Sequence, residues 1–291
     1  MNARSVAIKA GADGLSPTPY VKNVLSQNFA ALPNSIDSSS TLFCADISRA
    51  LLHESLLYLL RAMSHIICYE AIYSKNQFSW ALVTLYYSNY FCALSMNRLA
   101  GKAISTTNGK NFEIVSSQIQ SNFEVKRIKV NNHKLVWDTN YDLYSNFNWK
   151  DIFYDGVIIK VINRDHYERK SRESINYHPD SYKEIFKTKS QQNNIASFFG
   201  KNYIDSPPNI ALLPFTDDIE RMIANLECRA IARQIILLTI FNEVSKILQP
   251  TSKAVLREYF RNFSNNVMNH SPFNSKLKST FQPLINNLII Y

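Results

Sequence analysis

The chain has 291 residues, of which 46% are hydrophobic, and it carries a formal net charge of +9 with a pI near 9.3. This length and hydrophobic content are sufficient for a large core and exclude a chain that is disordered throughout. The positive charge favours an anionic partner such as nucleic acid or an acidic protein surface. A basic protein without such a partner is the plain alternative.

The four cysteines are widely separated and form no CxxC pattern; they are Cys44, Cys68, Cys92 and Cys228. Three of them lie in apolar helical patterns, so we expect reduced core residues rather than a disulfide framework or a zinc site. The N-terminus has no signal-peptide pattern, and the chain has no stretch of 18 uncharged apolar residues. We therefore expect a cytoplasmic protein without a membrane span, and we predict no cofactor and no metal.

Residues 1–42 are rich in Ser, Pro, Asn and Gly and predict a partly disordered N-terminal extension with a short helix near residues 20–31. From Ala45 to about Tyr73, apolar residues recur every three or four positions, which predicts a long central helix. A second helix is expected over residues 76–99, ended by Gly101. The short link between them predicts an antiparallel hairpin. The many aromatic residues of the second helix favour core packing.

The pattern changes over residues 103–164, which predict an insertion with some strand content. Segments 112–115, 123–130 and 156–161 are rich in strand-forming residues, and 137–149 is compatible with a helix or a loop. The basic residues of this region are candidates for tracking an RNA backbone; they are Lys126, Arg127, Lys129 and Lys134. A solvated edge strand is the alternative interpretation.

A basic helix is predicted after the insertion, over residues 163–178, and it ends before Pro179. Its cations Arg169 and Lys170 are further candidates for RNA binding. A third long helix is predicted from Thr216 or Asp217 to about Leu248, followed by a helical tail over residues 249–291 that we interpret as a cap or a dimer contact. The fold class is thus mainly α.

Two segments resemble HEPN domains. The segment from Trp80 to Gly101, with its paired Tyr86 and Tyr87, is similar to the second helix of that family, and Arg172-Glu173-Ser174-Ile175-Asn176-Tyr177-His178-Pro179 resembles its arginine-to-histidine motif. The resemblance covers about residues 44–102 and 165–248, within a HEPN-like domain that we place at 43–248. The insertion and the tail depart from a minimal HEPN domain.

The resemblance implies an antiparallel helical bundle that dimerises through its motif helices. In active members it also implies a metal-independent endoribonuclease. Many such proteins are toxins or effectors of bacterial defence systems, restrained by an antitoxin or a sensor protein. The expected partners are therefore RNA, such as a tRNA or an mRNA, a second copy of the chain, and a regulatory protein.

The chemistry of the motif agrees with this expectation. Arg172 can hold a phosphate through two hydrogen bonds, His178 can move a proton near neutral pH, and Asn176 can orient either group. Along one helix, Arg172 and His178 lie about 120° apart and about 9 Å along the axis, so a composite site between two copies is expected. His166 is a weaker candidate for an additional proton donor.

Other chemistries fit less well. The six histidines show no HExxH spacing for a zinc hydrolase, and no GxSxG segment is present for a serine hydrolase. The main alternative is a catalytically inactive module in which the bundle binds a protein or nucleic acid and the motif only builds the dimer interface.

Overall fold

The computed structural model describes residues 14–15, 20–75, 77–117, 122–129, 133–146, 168, 219–269 and 275–290. Within these ranges the protein is mainly helical, with one four-stranded antiparallel sheet. The helices are α1 (Val21–Gln27), α2 (Ala45–Tyr73), α3 (Phe78–Leu99), α4 (His133–Asn146), α5 (Ile219–Ile247), α6 (Pro250–Phe263) and α7 (Ser275–Ile290). The strands are β1 (Ser39–Phe43), β2 (Lys102–Thr107), β3 (Lys110–Ser116) and β4 (Asn122–Ile128).

The hairpin of α2 and α3 forms the centre of the fold. Four leucines of α2 are fully buried, namely Leu51, Leu52, Leu56 and Leu59, and the predicted bounds of this helix are confirmed. Small polar residues allow the two helices to approach closely. Ser55 Oγ donates to the carbonyl of Ser95 at 2.8 Å, and Ser95 Oγ donates to the carbonyl of Ser55 at 2.9 Å. These reciprocal bonds satisfy two buried hydroxyls inside the apolar contact.

The sheet begins directly where α3 ends. Gly101 adopts a φ of +75° after the last turn of α3, the left-handed conformation that commonly ends a helix. Asn108 and Gly109 then connect β2 to β3 with φ values of 49° and 70°, as the twist of a two-residue hairpin requires. The strand order is β1-β4-β3-β2, and every neighbouring pair is antiparallel. Since β1 leads into α2 and β2 follows α3, the sheet lies at one end of the hairpin.

The sequence predicted two of these strands. Segments 112–115 and 123–130 correspond to β3 and β4, and the part of 137–149 that is described forms α4. The predicted strand at 156–161 lies outside the described residues. In the region assigned to the N-terminal extension, α1 confirms the short helix, and β1 pairs with β4 at the edge of the sheet. Residues of α1, such as Val24 and Leu25, are buried against the inner face of the sheet.

The C-terminal helices complete the core. Helix α5 packs on α3, α2 and α7, so the tail contributes to the same apolar interior. Pro250 is the first residue of α6, where its missing N–H costs no hydrogen bond, and it ends the preceding helix as predicted. A π-helical turn (Ser264–Met268) follows α6. The predicted dimer contact of this tail stays a prediction.

The environments of the cysteines correct one expectation. Cys92 and Cys228 are buried, and Cys44 is partly buried, but Cys68 is exposed because it lies on the outer side of α2. Among the helices of the described residues, none is long and apolar enough to cross a lipid bilayer.

The left-handed residue at the end of α3 provides a test of the junction between hairpin and sheet. Gly101→Ala should lower the free energy of unfolding by roughly 1–2 kcal/mol, because an L-residue with a Cβ is strained at this φ. Gly101→Asn should cost less, since asparagine tolerates this conformation. Urea unfolding of the two variants measures the difference. Equal losses would assign the effect to side-chain volume rather than to the backbone.

Candidate functional site

The residues of the predicted catalytic motif lie outside the described residues, as do the nearby cations and the additional histidine; they are Arg172, Asn176, His178, Arg169, Lys170 and His166. Their roles stay predictions. The structure does describe Glu168, which is four positions before Arg172 in the same predicted basic helix. Its surroundings show how this one position of the segment contacts the bundle.

Two arginines of α5 hold the carboxylate of Glu168. Arg233 Nη1 lies 2.6 Å and Arg229 Nη1 lies 3.1 Å from Glu168 Oε1, and all three side chains are fully buried. Three charges without contact to water are costly unless they are paired and hydrogen-bonded. The geometry meets that condition, because both guanidinium groups converge on one carboxylate oxygen.

Neighbouring polar groups and one ring surround these charges. Arg233 Nη1 also donates to Asn89 Oδ1 on α3 at 2.6 Å, and Asn89 Nδ2 donates to the carbonyl of Leu226 at 2.8 Å. Tyr141 on α4 donates its hydroxyl to the second oxygen of Glu168. The guanidinium of Arg233 lies 5.1 Å from the ring centre of Trp137, at cation–π distance. Both ends of the buried Asn89 amide therefore have polar partners.

The periodicity of α5 explains why its cations meet at one place. Asn225, Arg229 and Arg233 are spaced by four residues and therefore lie on one side of the helix. Asn225 Oδ1 accepts a hydrogen bond from Arg229 Nε at 2.6 Å, which orients the guanidinium. Residues on either side of this row, such as Leu226 and Ile236, are fully buried. The row thus faces the interior of the bundle between α3 and α4.

The electrostatics keep Glu168 ionised. Burial alone would raise the pKa of this carboxyl, but Arg233 and Arg229 outweigh it and lower the pKa from 4.5 to about 2. Burial and the adjacent carboxylate raise the pKa of Tyr141, so its hydroxyl stays protonated and can donate. Glu168 therefore faces the two guanidinium groups as a carboxylate at neutral pH.

This arrangement is suited to positioning rather than to catalysis. The three charged groups are fully buried, so they do not contact a substrate directly. They connect α5 to Glu168, while Asn89 and Tyr141 add α3 and α4 to the same network. The cluster consequently fixes the position of Glu168 relative to α3, α4 and α5.

The structure does not place the four predicted RNA-binding cations of the insertion on one face of the sheet. Lys126 and Arg127 are neighbours in β4, so their side chains leave opposite faces of the sheet. Lys126 Nζ lies 3.4 Å from the exposed carboxylate of Asp37. Lys129 is exposed just after β4, and Lys134 is exposed in the first turn of α4. Their binding of RNA stays a prediction.

Comparison of the chain with known protein families, with curated proteins and with solved structures finds no match. The function is therefore argued from the chemistry of the chain itself.

The buried cluster predicts a large loss of stability when its acid is neutralised. Glu168→Gln removes the negative charge that both buried arginines contact, and it should lower the free energy of unfolding by about 3–5 kcal/mol, as measured by urea unfolding. The matched control is Glu243→Gln, which removes a 2.6 Å pair with Lys246 on an exposed surface. That variant should lose about 0.5 kcal/mol or less. Similar losses of unfolding free energy in both variants would show that the buried pairs of Glu168 stabilise the fold no more than an exposed pair does.

The same cluster predicts a specific pH dependence. Because the pKa of Glu168 is lower in the folded protein, its contribution is fully present above pH 4.5 and is lost as the pH falls towards about 2. The difference in unfolding free energy between wild type and Glu168→Gln should therefore be constant above pH 5 and shrink between about pH 4.5 and 2. Urea titrations at several pH values test this. A difference in unfolding free energy that grows on acidification would mean that the pKa of Glu168 is raised in the folded protein rather than lowered.

Proposed function

We propose that this protein is a metal-independent endoribonuclease of the HEPN type, acting as a toxin or effector in a bacterial defence or toxin–antitoxin system. The observation that carries the proposal is the burial of Glu168 among Arg229, Arg233 and Tyr141. It anchors Glu168, four residues before Arg172, in the interior of the bundle. The hairpin of α2 and α3, with Tyr86 and Tyr87 on its second helix, is the second support.

The position of Glu168 has a consequence for Arg172. In the basic helix predicted from the sequence, Arg172 follows Glu168 by one turn, about 6 Å along the axis and about 40° around it. In such a helix Arg172 would lie on nearly the same side as Glu168, so the buried carboxylate would set its orientation. Catalysis by positioned side chains depends on such pre-organisation, since a displacement of about 1 Å can cost about 10²-fold in rate.

The proposed reaction is attack of the ribose 2′-hydroxyl on the adjacent phosphate. His178 removes the proton of the 2′-hydroxyl or returns one to the leaving 5′-oxygen, and Arg172 stabilises the charge that develops on the phosphate. Asn176 orients the phosphate or the imidazole. Two copies of the chain supply the complete site, because one helix separates its own Arg172 and His178 by about 120°.

The products distinguish this mechanism from metal-dependent hydrolysis. Purified protein should cut RNA in excess chelator and leave 2′,3′-cyclic phosphate and 5′-hydroxyl ends. It should not cut DNA or RNA with a 2′-deoxy substitution at the scissile site. Arg172→Ala and His178→Ala should each lower the rate by at least about 10²-fold with little change in RNA binding. Electrophoresis of end-labelled RNA provides the measurement.

Arg261→Ala is a suitable control, because Arg261 is exposed on α6. Its substitution removes one positive charge, as Arg172→Ala does. It should cleave at the wild-type rate. Expression in bacteria adds a second readout, in which growth arrest should be relieved by His178→Ala. A protein that cuts only with added Mg²⁺, or leaves 5′-phosphates, contradicts the assigned roles. A protein that binds RNA without cutting it would instead favour the inactive interaction module.

A further inference from the structure

A continuous row of aromatic rings crosses α2, α3 and the start of α4. We call it the aromatic band, and it consists of Tyr58, His65, Tyr87, Tyr90, Phe91 and His133. The ring centres of successive neighbours are 4.2–6.4 Å apart: Tyr58–Phe91, His65–Phe91, His65–Tyr87, Tyr87–His133 and Tyr90–His133. Three separate helices thus contribute to one surface feature.

Most of the band is not core. Phe91 is buried, but the other five rings are only partly buried, although the sequence favoured core packing for the aromatic residues of α3. An aromatic cluster that only filled the interior would be covered on all sides. Partly exposed rings from three helices instead leave part of the surface of each ring residue in contact with solvent.

One part of the band forms a parallel stack. The rings of Tyr90 and His133 lie 4.2 Å apart and are inclined by 8°, and Tyr86 is within 14° of both. The hydroxyl of Tyr86 lies 2.7 Å from His133 Nδ1, and it also accepts a hydrogen bond from Trp137 Nε1 at 3.3 Å. The buried Tyr86 therefore fixes the orientation of the outer rings. Such a pre-ordered stack can be extended by another flat ring at little entropic cost.

Two exposed cations lie directly beside rings of the band. The guanidinium of Arg61 lies 4.3 Å from the ring centre of Phe91, and Arg61 is exposed. Lys134 is exposed next to His133 at the other end. On α4, the acids Asp138 and Asp142 follow Lys134 by one and two turns. Flat rings between two cations complement a ligand that combines aromatic groups with anionic links.

We propose that the aromatic band binds the bases of single-stranded RNA next to the cleaved bond, with Arg61 and Lys134 contacting its phosphates. Stacking on aromatic rings and a basic groove are the two features by which proteins bind single strands without reading their sequence. The inference rests on the proposed function in naming RNA as the ligand. It goes beyond that function in assigning a substrate surface on α2, α3 and α4, outside the motif segment.

A non-cleavable ligand separates binding from catalysis. We would measure binding of a fluorescein-labelled 12-nucleotide 2′-O-methyl RNA by fluorescence anisotropy, for the full chain and its variants. The variant Tyr87→Leu/Tyr90→Leu keeps apolar side chains but removes two π-faces, and it should bind about 5- to 100-fold more weakly. Tyr87→Phe/Tyr90→Phe keeps both rings and should bind like wild type, which shows whether the rings or the hydroxyls matter.

Phe43→Leu is the matched control. Phe43 is an exposed aromatic residue of β1, and α2 separates it from the band by 15 or more residues, over about 20 Å. Its replacement should leave the affinity unchanged. Circular dichroism and urea unfolding show whether each variant is folded, and the variant Arg61→Gln/Lys134→Gln changes only exposed residues.

The second arm tests the charges. Arg61→Gln/Lys134→Gln should reduce the slope of log affinity against log salt by about 1.4, since each phosphate contact to a single strand contributes about 0.7. Lys22→Gln/Lys110→Gln makes the same change in net charge near α1 and the sheet, and it should leave the slope almost unchanged.

The outcomes separate this inference from the proposed function. If the wild-type protein binds the oligonucleotide but never cleaves RNA, the proposed nuclease activity is wrong and the aromatic band is supported as a binding surface. Wild-type affinity in the folded Tyr87→Leu/Tyr90→Leu variant overturns the inference even where cleavage persists, and so does absence of binding by the wild type. A variant that instead changes the oligomeric state in sedimentation assigns the band to contact between two copies and also overturns it.

Discussion

The carboxylate of Glu168 between the guanidinium groups of Arg229 and Arg233 is the interaction on which the arrangement of the bundle depends. Buried ion pairs are seldom the most stable way to fill an interior, because desolvation offsets much of the Coulomb attraction. Their advantage is geometric, since a wrongly placed segment would leave a buried charge unpaired. In this protein the hydrogen bonds from Tyr141 and to Asn89 make that requirement stricter, because α3, α4 and α5 must all be in place at once.

A second buried ion pair also constrains the packing geometry, at the other end of α3. Arg98 Nε pairs with the carboxylate of Glu54 on α2, and Arg98 Nη2 donates to the carbonyl of Ile104 in β2 at 3.1 Å. The apolar contact of α2 and α3 could slide by a turn at moderate cost, since leucine and methionine accept many neighbours. Two charged contacts on α3, separated by nine residues or about 13 Å, remove that freedom.

The sequence could predict the elements whose apolar residues repeat over many turns. Helix α2 was predicted from Ala45 to Tyr73 because its leucines repeat over many turns, whereas β1 is short, polar and at an edge, and only its pairing with β4 defines it. Glu168 was missed because an acid in a basic segment resembles a solvated residue. The row of Asn225, Arg229 and Arg233 on an otherwise apolar face of α5 was the available signal. The predicted motif from Arg172 to His178 is outside the described residues.

Helix α3 joins the two halves of the proposed function. Successive helical residues are about 100° apart, so Tyr86 and Asn89 turn inward while Tyr87 and Tyr90 remain partly exposed. A continuous set of contacts then runs from the guanidinium of Arg233 to the ring of Trp137, from its indole N–H to the hydroxyl of Tyr86, and from there to His133 in the aromatic band. The side chain that holds Glu168 therefore also supports the rings that we propose for base stacking. Rigid contacts of this kind fix the distance between a substrate surface and a catalytic segment, and that distance decides which phosphate of a bound strand reaches the reacting groups.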